Sequence, residues 1–222
     1  MIFVAHRGAS AYEPENTLLS FKRGIELGGN TVEFDIRKSK DGEIVIMHDA
    51  ELDRTTNGSG KVNDYTLEEL KKLDAGKGEK IPTLKEALDF LNGKCHIAIE
   101  LKEDDLEEAV VSSIKGIKNV IVISFGAHRV KKIKQLSLNT VTGFIFNKPI
   151  KNIEGFLRLN KSIKAEWLLG RADILTKELI DKAHDWGFNV LVWVLDDVGS
   201  IKKFKSLKVD GIASNKPDLF KK

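Results

Sequence analysis

The short gap between Ile36 and Ile44 does more than any other feature to limit how this chain can fold. Apolar runs from Val32 to Ile36 and from Ile44 to Met47 read as strands on either side of it. A parallel crossover needs about a dozen residues or more, and this gap is far shorter. The second run must therefore return antiparallel to the first, through a turn that carries the hairpin signal Asp41-Gly42. Elsewhere strand and helix patterns alternate. Ile2 to Ala5, His96 to Leu101, Val120 to Ser124, Val141 to Phe146, Ile163 to Leu168, Val190 to Leu195 and Gly211 to Ser214 bring the candidate strands to nine. Setting aside the hairpin return, an extra antiparallel strand at about 44–48, leaves eight for parallel βα units. That number fits an α/β fold of the (β/α)8 TIM barrel kind. A doubly wound open sheet is the rival, because periodicity does not register closure.

Helix signals lie between the strands. Asn16 reads as the N-cap of a helix that carries Leu18, Phe21 and Ile25 and stops at Gly28-Gly29. Thr66 with Glu69, and Thr83 with Glu86, fit capping boxes. Leu106, Val110 and Ile114 mark another helix, Val130 and Ile133 the next, and Thr176 caps one with Leu179, Ile180 and Ala183. A short helix is expected near Ile201 to Phe204. Residues 50 to 65, rich in Asp, Asn, Gly, Ser and Thr, read as a long loop of the sort that covers a site. With 222 residues, 41% of them hydrophobic, and no repeat or linker, the chain suits a single domain over 1–222 without a sizeable insertion.

The balance of 36 basic and 33 acidic residues leaves a net charge of +3, which points to neither nucleic acid nor a membrane surface. Cys95 is the lone cysteine, so neither an intrachain disulfide nor a cysteine metal cluster is expected. Met1 to Ala5 is too short for a signal peptide, and no apolar run approaches the ~20 residues of a membrane span. The expectation is a soluble cytoplasmic protein.

Alternation places Glu33 and Asp35 on one face of their strand and Val32, Phe34 and Ile36 on the other. If the turn is Asp41-Gly42 alone, Lys40 faces Glu43 and His48 lies opposite Asp35. In a barrel, reactive groups sit at the C-terminal strand ends, and the polar residues fall there: His6 and Arg7, Glu33 and Asp35, Glu100 and Lys102, Ser124 and Trp193. Each has a plain structural explanation, such as an ion pair for Glu100 with Lys102 or a core position for Trp193. Their coincidence at one rim favours function, because buried charges are costly unless they are paired or bound to an ion. Carboxylates gathered there would repel one another without a cation. An all-oxygen donor set suits Mg2+ or Ca2+ better than zinc.

The motifs themselves resemble those of a known family. His6-Arg7-Gly8, Pro14-Glu15-Asn16-Thr17, Glu33-Phe34-Asp35, Lys40-Asp41-Gly42, His48-Asp49, Leu52-Asp53-Arg54-Thr55-Thr56-Asn57-Gly58 and Ile99-Glu100-Leu101-Lys102 look like the signature of glycerophosphodiester phosphodiesterases. Ser124-Phe125, Trp193 and Asp210-Gly211-Ile212 extend the likeness over nearly the whole chain. The resemblance implies a barrel of the phosphoinositide-phospholipase-C type and metal-dependent hydrolysis of glycerophosphodiesters to glycerol 3-phosphate and an alcohol. It implies that Glu33, Asp35 and Glu100 hold one divalent cation and that His6 and His48 are the acid–base pair. Arg7 and Lys102 would bind phosphate and Trp193 would line the glycerol site. Three places depart from the family pattern: Val194-Leu195-Asp196 stands where Thr-Val-Asn is usual, Ser214-Asn215 where Thr-Asp is usual, and the loop after His48 is short, without the longer inserted subdomain of many members. Competing readings are a lysophospholipase-D-like or sphingomyelinase-like enzyme, a noncatalytic phosphodiester-binding protein, and a metal-dependent lyase. His96, His128 and His184 read as structural.

Overall fold

The computed structural model describes residues 1–221. Its strands are β1 (Ile2–His6), β2 (Thr31–Lys38), β3 (Ile44–Ile46), β4 (His96–Leu101), β5 (Val120–Ser124), β6 (Val141–Phe146), β7 (Trp167–Arg171), β8 (Asn189–Trp193) and β9 (Gly211–Ser214). The helices are α1 (Leu18–Leu27), α2 (Leu67–Leu70), α3 (Leu84–Leu91), α4 (Glu107–Ser113), α5 (Ala127–Leu136), α6 (Ile153–Ser162), α7 (Lys177–Asp185) and α8 (Val198–Ser206). All strands but β3 pair in parallel in the order β1-β9-β8-β7-β6-β5-β4-β2, and β2 pairs again with β1. The sheet is thus a closed eight-stranded barrel. It closes because β1 takes the first half of one edge of β2, at Thr31 to Glu33, and β3 takes what remains, at Ile36 to Lys38.

That arrangement corrects the expected register. Ile36 faces Ile46 and Lys38 faces Ile44, so the turn spans 39–43. Ser39 closes it, donating its backbone N–H to Glu43 O at 2.9 Å and accepting the Glu43 N–H on its hydroxyl at 2.9 Å. Gly42 adopts the left-handed conformation this turn requires, at φ 88°. The wider loop shifts the pairing by one residue, and Met47 rather than His48 meets Asp35, its N–H donating to Asp35 O at 3.0 Å. The extra strand is consequently Ile44–Ile46, shorter than 44–48, and His48 lies beyond its end.

Other boundaries move for local reasons. Thr17, not Asn16, caps α1, accepting the Ser20 N–H. Asn152 caps α6, a helix the sequence reading did not contain, and this helix runs so far that Ile163 closes it instead of opening a strand. The following strand is therefore Trp167–Arg171, not 163–168. Both expected capping boxes, at Thr66 and Thr83, are present. The loop from 50 to 65 is anchored: Met47, Leu52, Val62, Leu70, Ala75 and Ile81 form a small apolar cluster beneath it.

Three apolar layers organise the rest. Val32, Phe34 and Ile36 point outward with Phe21, Leu84, Leu88 and Leu91 beneath the helices of one half of the barrel. A matching cluster from β7, β8 and α7 fills the other half. Inside the barrel, Val4, Ala98, Ile123, Ile145, Leu169, Leu191 and Ala213 make an apolar plug. His6, Glu33, Glu100 and Lys102 line the cavity above this plug, where β1 and β4 end. Phe34 is fully buried, with its ring 5.5 Å from that of Phe21. Phe34→Ala should cost about 3–5 kcal/mol of unfolding free energy in urea titration, and a loss below about 1 kcal/mol would contradict its outward placement in the core.

Candidate active site

Strand register brings the acidic residues together. β2 lies between β1 and β4, with Glu33 beside His6 and Asp35 beside Glu100. Glu33, Asp35 and Glu100 are all buried, and one carboxylate oxygen from each lies within 4.8 Å of the others. Two cations partly balance them. Lys102 Nζ is 2.6 Å from Glu100 Oε1 and 3.0 Å from Asp35 Oδ1. Arg7 Nε is 3.3 Å from Asp35 Oδ2, and the Arg7 backbone N–H donates to Glu33 Oε2 at 3.0 Å.

Burial and the charges around each carboxylate together set the proton affinities. Burial alone would raise Asp35, but Lys102 and Arg7 outweigh it and hold the group down to about 2. Glu33 and Glu100 bear the deficit. Burial, reinforced by neighbouring carboxylates, pushes Glu100 up to about 7 and Glu33 well above the usual carboxylate range. Burial is the main cause of both upward shifts, and the shortage of positive charge beside Glu33 and Glu100 leaves it uncompensated. Three converging oxygen donors with that deficit fit a hard divalent cation, which would supply the missing charge.

The chain around His6 is built to hold this arrangement. Arg7 sits in the left-handed region at φ 55°, followed by Gly8 at φ 81°. A Cβ on Gly8 would stand 2.1 Å from Ser20 Oγ, so only glycine lets the turn press against α1. Ser20 Oγ in turn donates to Arg7 O at 2.7 Å. The motif Pro14-Glu15-Asn16-Thr17 divides its work. Asn16, buried at φ 60°, donates its amide to Asp35 Oδ2 at 2.9 Å, while Glu15 accepts from Arg7 Nη1 at 2.8 Å. Reading Asn16 as a cap hid this role; two cap-type residues stand side by side, and only the fold separates them.

His48 reaches the same pocket as His6 from the far end of the hairpin. Its Nδ1 is 2.6 Å from Asp49 Oδ1, and Asp49 Oδ2 accepts from Arg54 Nε at 2.6 Å. Arg54 also donates both terminal nitrogens to Glu15, at 2.7 and 2.8 Å. The loop motif Leu52 to Gly58 thus ties the mount of His48 to the mount of Arg7. Arg54, Glu15 and Asp49 were not singled out as site residues from sequence, since their partners are distant in the chain. Burial and the nearby Lys102 lower the His48 imidazole, against the pull of Asp35 and Asp49. Burial chiefly, with Arg7 and Lys102, lowers His6 to about 4 although Asn215 and Asp35 oppose it.

The opposite wall is apolar. Trp193 donates its indole N–H to Leu169 O at 3.0 Å and meets Phe125 edge-on, with ring centroids 5.9 Å apart. Phe125 is 39% exposed, unusual for a phenylalanine so near a polar rim. Together with the plug beneath, these rings bound a cavity of about 170 Å3 open to the charged groups. Ser124, buried, donates its hydroxyl to Leu101 O and so braces β5 against β4 rather than facing the cavity. The remaining histidines lie elsewhere: His184 pairs with Asp210 at 2.8 Å, His128 with Asp104 at 2.7 Å, and His96 is exposed at the start of β4. Burial pushes the Cys95 thiol up to about 11, consistent with an inert group. Among the described residues no helix is long and apolar enough to cross a membrane.

Comparison with known proteins agrees with this geometry. The model of the glycerophosphoryl diester phosphodiesterase family matches residues 6–219. A glycerophosphodiester phosphodiesterase of Caldanaerobacter subterraneus is 33% identical, over 98% of this chain and 95% of its own length. Another from Bacillus subtilis is 30% identical, over 100% of this chain and 86% of its own length. Among solved structures, an Oleispira antarctica phosphodiesterase in complex with the product sn-glycerol-3-phosphate superposes with a TM-score of 0.92 at 28% identity, covering 100% of this chain and 95% of that one. A Thermotoga maritima glycerophosphodiester phosphodiesterase gives 0.88 at 32% identity, covering 99% and 96%. The chain therefore belongs to the glycerophosphoryl diester phosphodiesterase family, whose members are phosphoric diester hydrolases built on this barrel.

Proposed function

We propose that the protein hydrolyses glycerophosphodiesters to glycerol 3-phosphate and an alcohol. In this reading His6 and His48 are the acid–base pair, and Glu33, Asp35 and Glu100 hold one Mg2+ or Ca2+. The observation that carries it is the buried, charge-deficient carboxylate cluster at the mouth of a pocket lined by both imidazoles. Phosphodiester binding alone would need no pair of imidazoles.

Phosphate-ester hydrolysis is among the slowest uncatalysed reactions, so an enzyme must remove on the order of 20 kcal/mol of barrier. Acid–base work by two histidines supplies roughly 10²–10⁴-fold per group, which falls well short. Electrostatic stabilisation must supply much of the rest. When bound, the cation would act as a Lewis acid toward the phosphoryl oxygens. Arg7 and Lys102 reach the same rim and would hold the phosphate by charge-assisted hydrogen bonds. Trp193 and Phe125 would cover the carbon face of the glycerol.

The nucleophile in this proposal is the substrate's own 2-hydroxyl. Its oxygen attacks phosphorus while one imidazole takes the hydroxyl proton. The bond to the leaving alcohol breaks, and the other imidazole protonates that oxygen. Water then opens the cyclic phosphate with the two roles reversed. An internal nucleophile gains about 7–11 kcal/mol in effective molarity. A lipid phosphodiester is the second reading, favoured by the exposed Phe125 ring. The cavity of about 170 Å3 is small beside the roughly 300–1,000 Å3 of drug-sized sites, which fits a glycerol-sized group better than an acyl chain.

Glycerophosphocholine, glycerophosphoethanolamine and lysophosphatidylcholine, each assayed with Mg2+, Ca2+ and chelator, separate these readings. Glycerol phosphate should appear from the first two and only with metal; no release from any substrate would contradict the proposal. A 2-deoxy glycerophosphodiester should not turn over, and His6→Ala and His48→Ala should each lose about 10²-fold or more. Full activity in either variant would remove that histidine from the acid–base pair.

The metal-free cluster should also mark stability. Glu33 and Glu100 keep their protons to higher pH in the folded than in the unfolded chain, so stability falls as pH rises through that interval. His6 and His48, held below their ordinary value, act in the opposite sense, but only below roughly pH 6.5, where an unfolded histidine ionises. Asp35 is ionised throughout this range, since its carboxyl is held down to about 2. From about pH 6.5 to 8, then, the urea midpoint of the metal-free protein should decline, and saturating Mg2+ should remove the slope. A flat profile without metal would contradict the charge deficit.

A further inference from the structure

We infer that Asn215, itself oriented by Asp196, is a positioning residue that fixes His6 in the Nδ1–H tautomer and leaves its Nε2 lone pair facing the pocket. The inference rests on the proposed proton-transfer role of His6 and specifies how that role is prepared.

The three residues come from the ends of three neighbouring strands, β8, β9 and β1. Asp196 gathers three donors: Ser214 Oγ at 2.9 Å, the Asn215 backbone N–H at 2.8 Å and Asn215 Nδ2 at 2.7 Å. A carboxylate accepts and does not donate, so the NH2 end of the Asn215 amide must face it. The amide oxygen is then committed to the other side, where it lies 2.8 Å from His6 Nδ1 and 2.8 Å from Ser10 Oγ. An amide oxygen only accepts, so Nδ1 must carry the proton. In the neutral ring this leaves Nε2 without one, and Nε2 is the nitrogen turned toward Glu33, 4.0 Å from its Oε2.

The mount is held on all sides. Ala11 N–H donates to Asn215 O at 3.1 Å, and Lys216 N–H donates to Ser214 Oγ at 2.9 Å. Residues 196 and 215 are also the last positions of two of the stretches in which the sequence departs from the family pattern. Asp196 and Asn215 touch, so these two departures meet at one contact. His48 is prepared differently, by direct contact of its Nδ1 with the Asp49 carboxylate.

The test is 15N NMR of the histidine-labelled protein above the pH at which the rings are neutral, with the His6 signals assigned by their loss in His6→Asn. The expected spectrum has a protonated Nδ1 and an unprotonated Nε2 for His6. Asn215→Leu should move His6 toward the Nε2–H tautomer and lower kcat about 10²-fold with KM little changed. The double exchange D196N/N215D, which restores an acceptor at Nδ1, should recover both the tautomer and most of kcat. An Nε2–H ring in the unaltered protein, or an unchanged tautomer and kcat in Asn215→Leu, would overturn the inference. The NMR readout needs no turnover. An Nδ1–H ring that moves on Asn215→Leu, in a protein inactive on every phosphodiester, would uphold the positioning and contradict the proposed activity instead.

Discussion

Two cations face three buried carboxylates at the rim of this barrel, and the imbalance shapes everything around it. Arg7 and Lys102 both converge on Asp35, which is consequently the acid held most firmly in its ionised form. Glu33 and Glu100 are left with more negative charge nearby than positive, in surroundings where water cannot screen it. Such a cluster is costly to fold and has no packing purpose that an apolar residue would not serve as well. The complement we propose for it is a small divalent cation and, beyond that, an anionic phosphodiester.

The fold makes this tolerable by separating tasks along single strands. On β2, Val32, Phe34 and Ile36 anchor the outer core while Glu33 and Asp35 turn inward, so the strand that stabilises the barrel also arms it. The apolar plug of Val4, Ala98, Ile123, Ile145, Leu169, Leu191 and Ala213 closes the barrel below, and charge is therefore confined to one end. Above that plug the loops act as splints. Glu15 accepts from both Arg7 and Arg54, Arg54 also grips Asp49, and Asp49 holds His48. His48 is thereby tied through Asp49, Arg54 and Glu15 to Arg7, the chain neighbour of His6.

What the sequence revealed follows from the range of each interaction. Period-two alternation put Glu33 and Asp35 on one face, and the short gap after Ile36 forced the antiparallel β3; both are local constraints, and both hold in the structure. The strand ends then located His6, Arg7, Glu100, Lys102 and Trp193 at one rim, since a parallel barrel gathers all such ends together. The hairpin register differs by one residue from the expected one because Ser39, through its side chain, lengthens the turn beyond Asp41-Gly42. Ile153, Phe156 and Leu157 recur at helical spacing and build α6, which the sequence reading does not contain, and Ile163 closes that helix, so β7 begins at Trp167 rather than Ile163. Asn16, Arg54, Asp196 and Asn215 each meet a partner that only the folded chain brings near, so sequence spacing does not mark them.

The proposal rests on Glu33, Asp35 and Glu100 together binding a single divalent cation beside both imidazoles. The most direct measurement is the anomalous difference map of a crystal grown with Mn2+ and glycerol 3-phosphate. One strong peak is expected within bonding distance of a carboxylate oxygen from each of the three residues, with the phosphate lying against it. A peak elsewhere, or phosphate bound by Arg7 and Lys102 with no peak at the three acids, would contradict it.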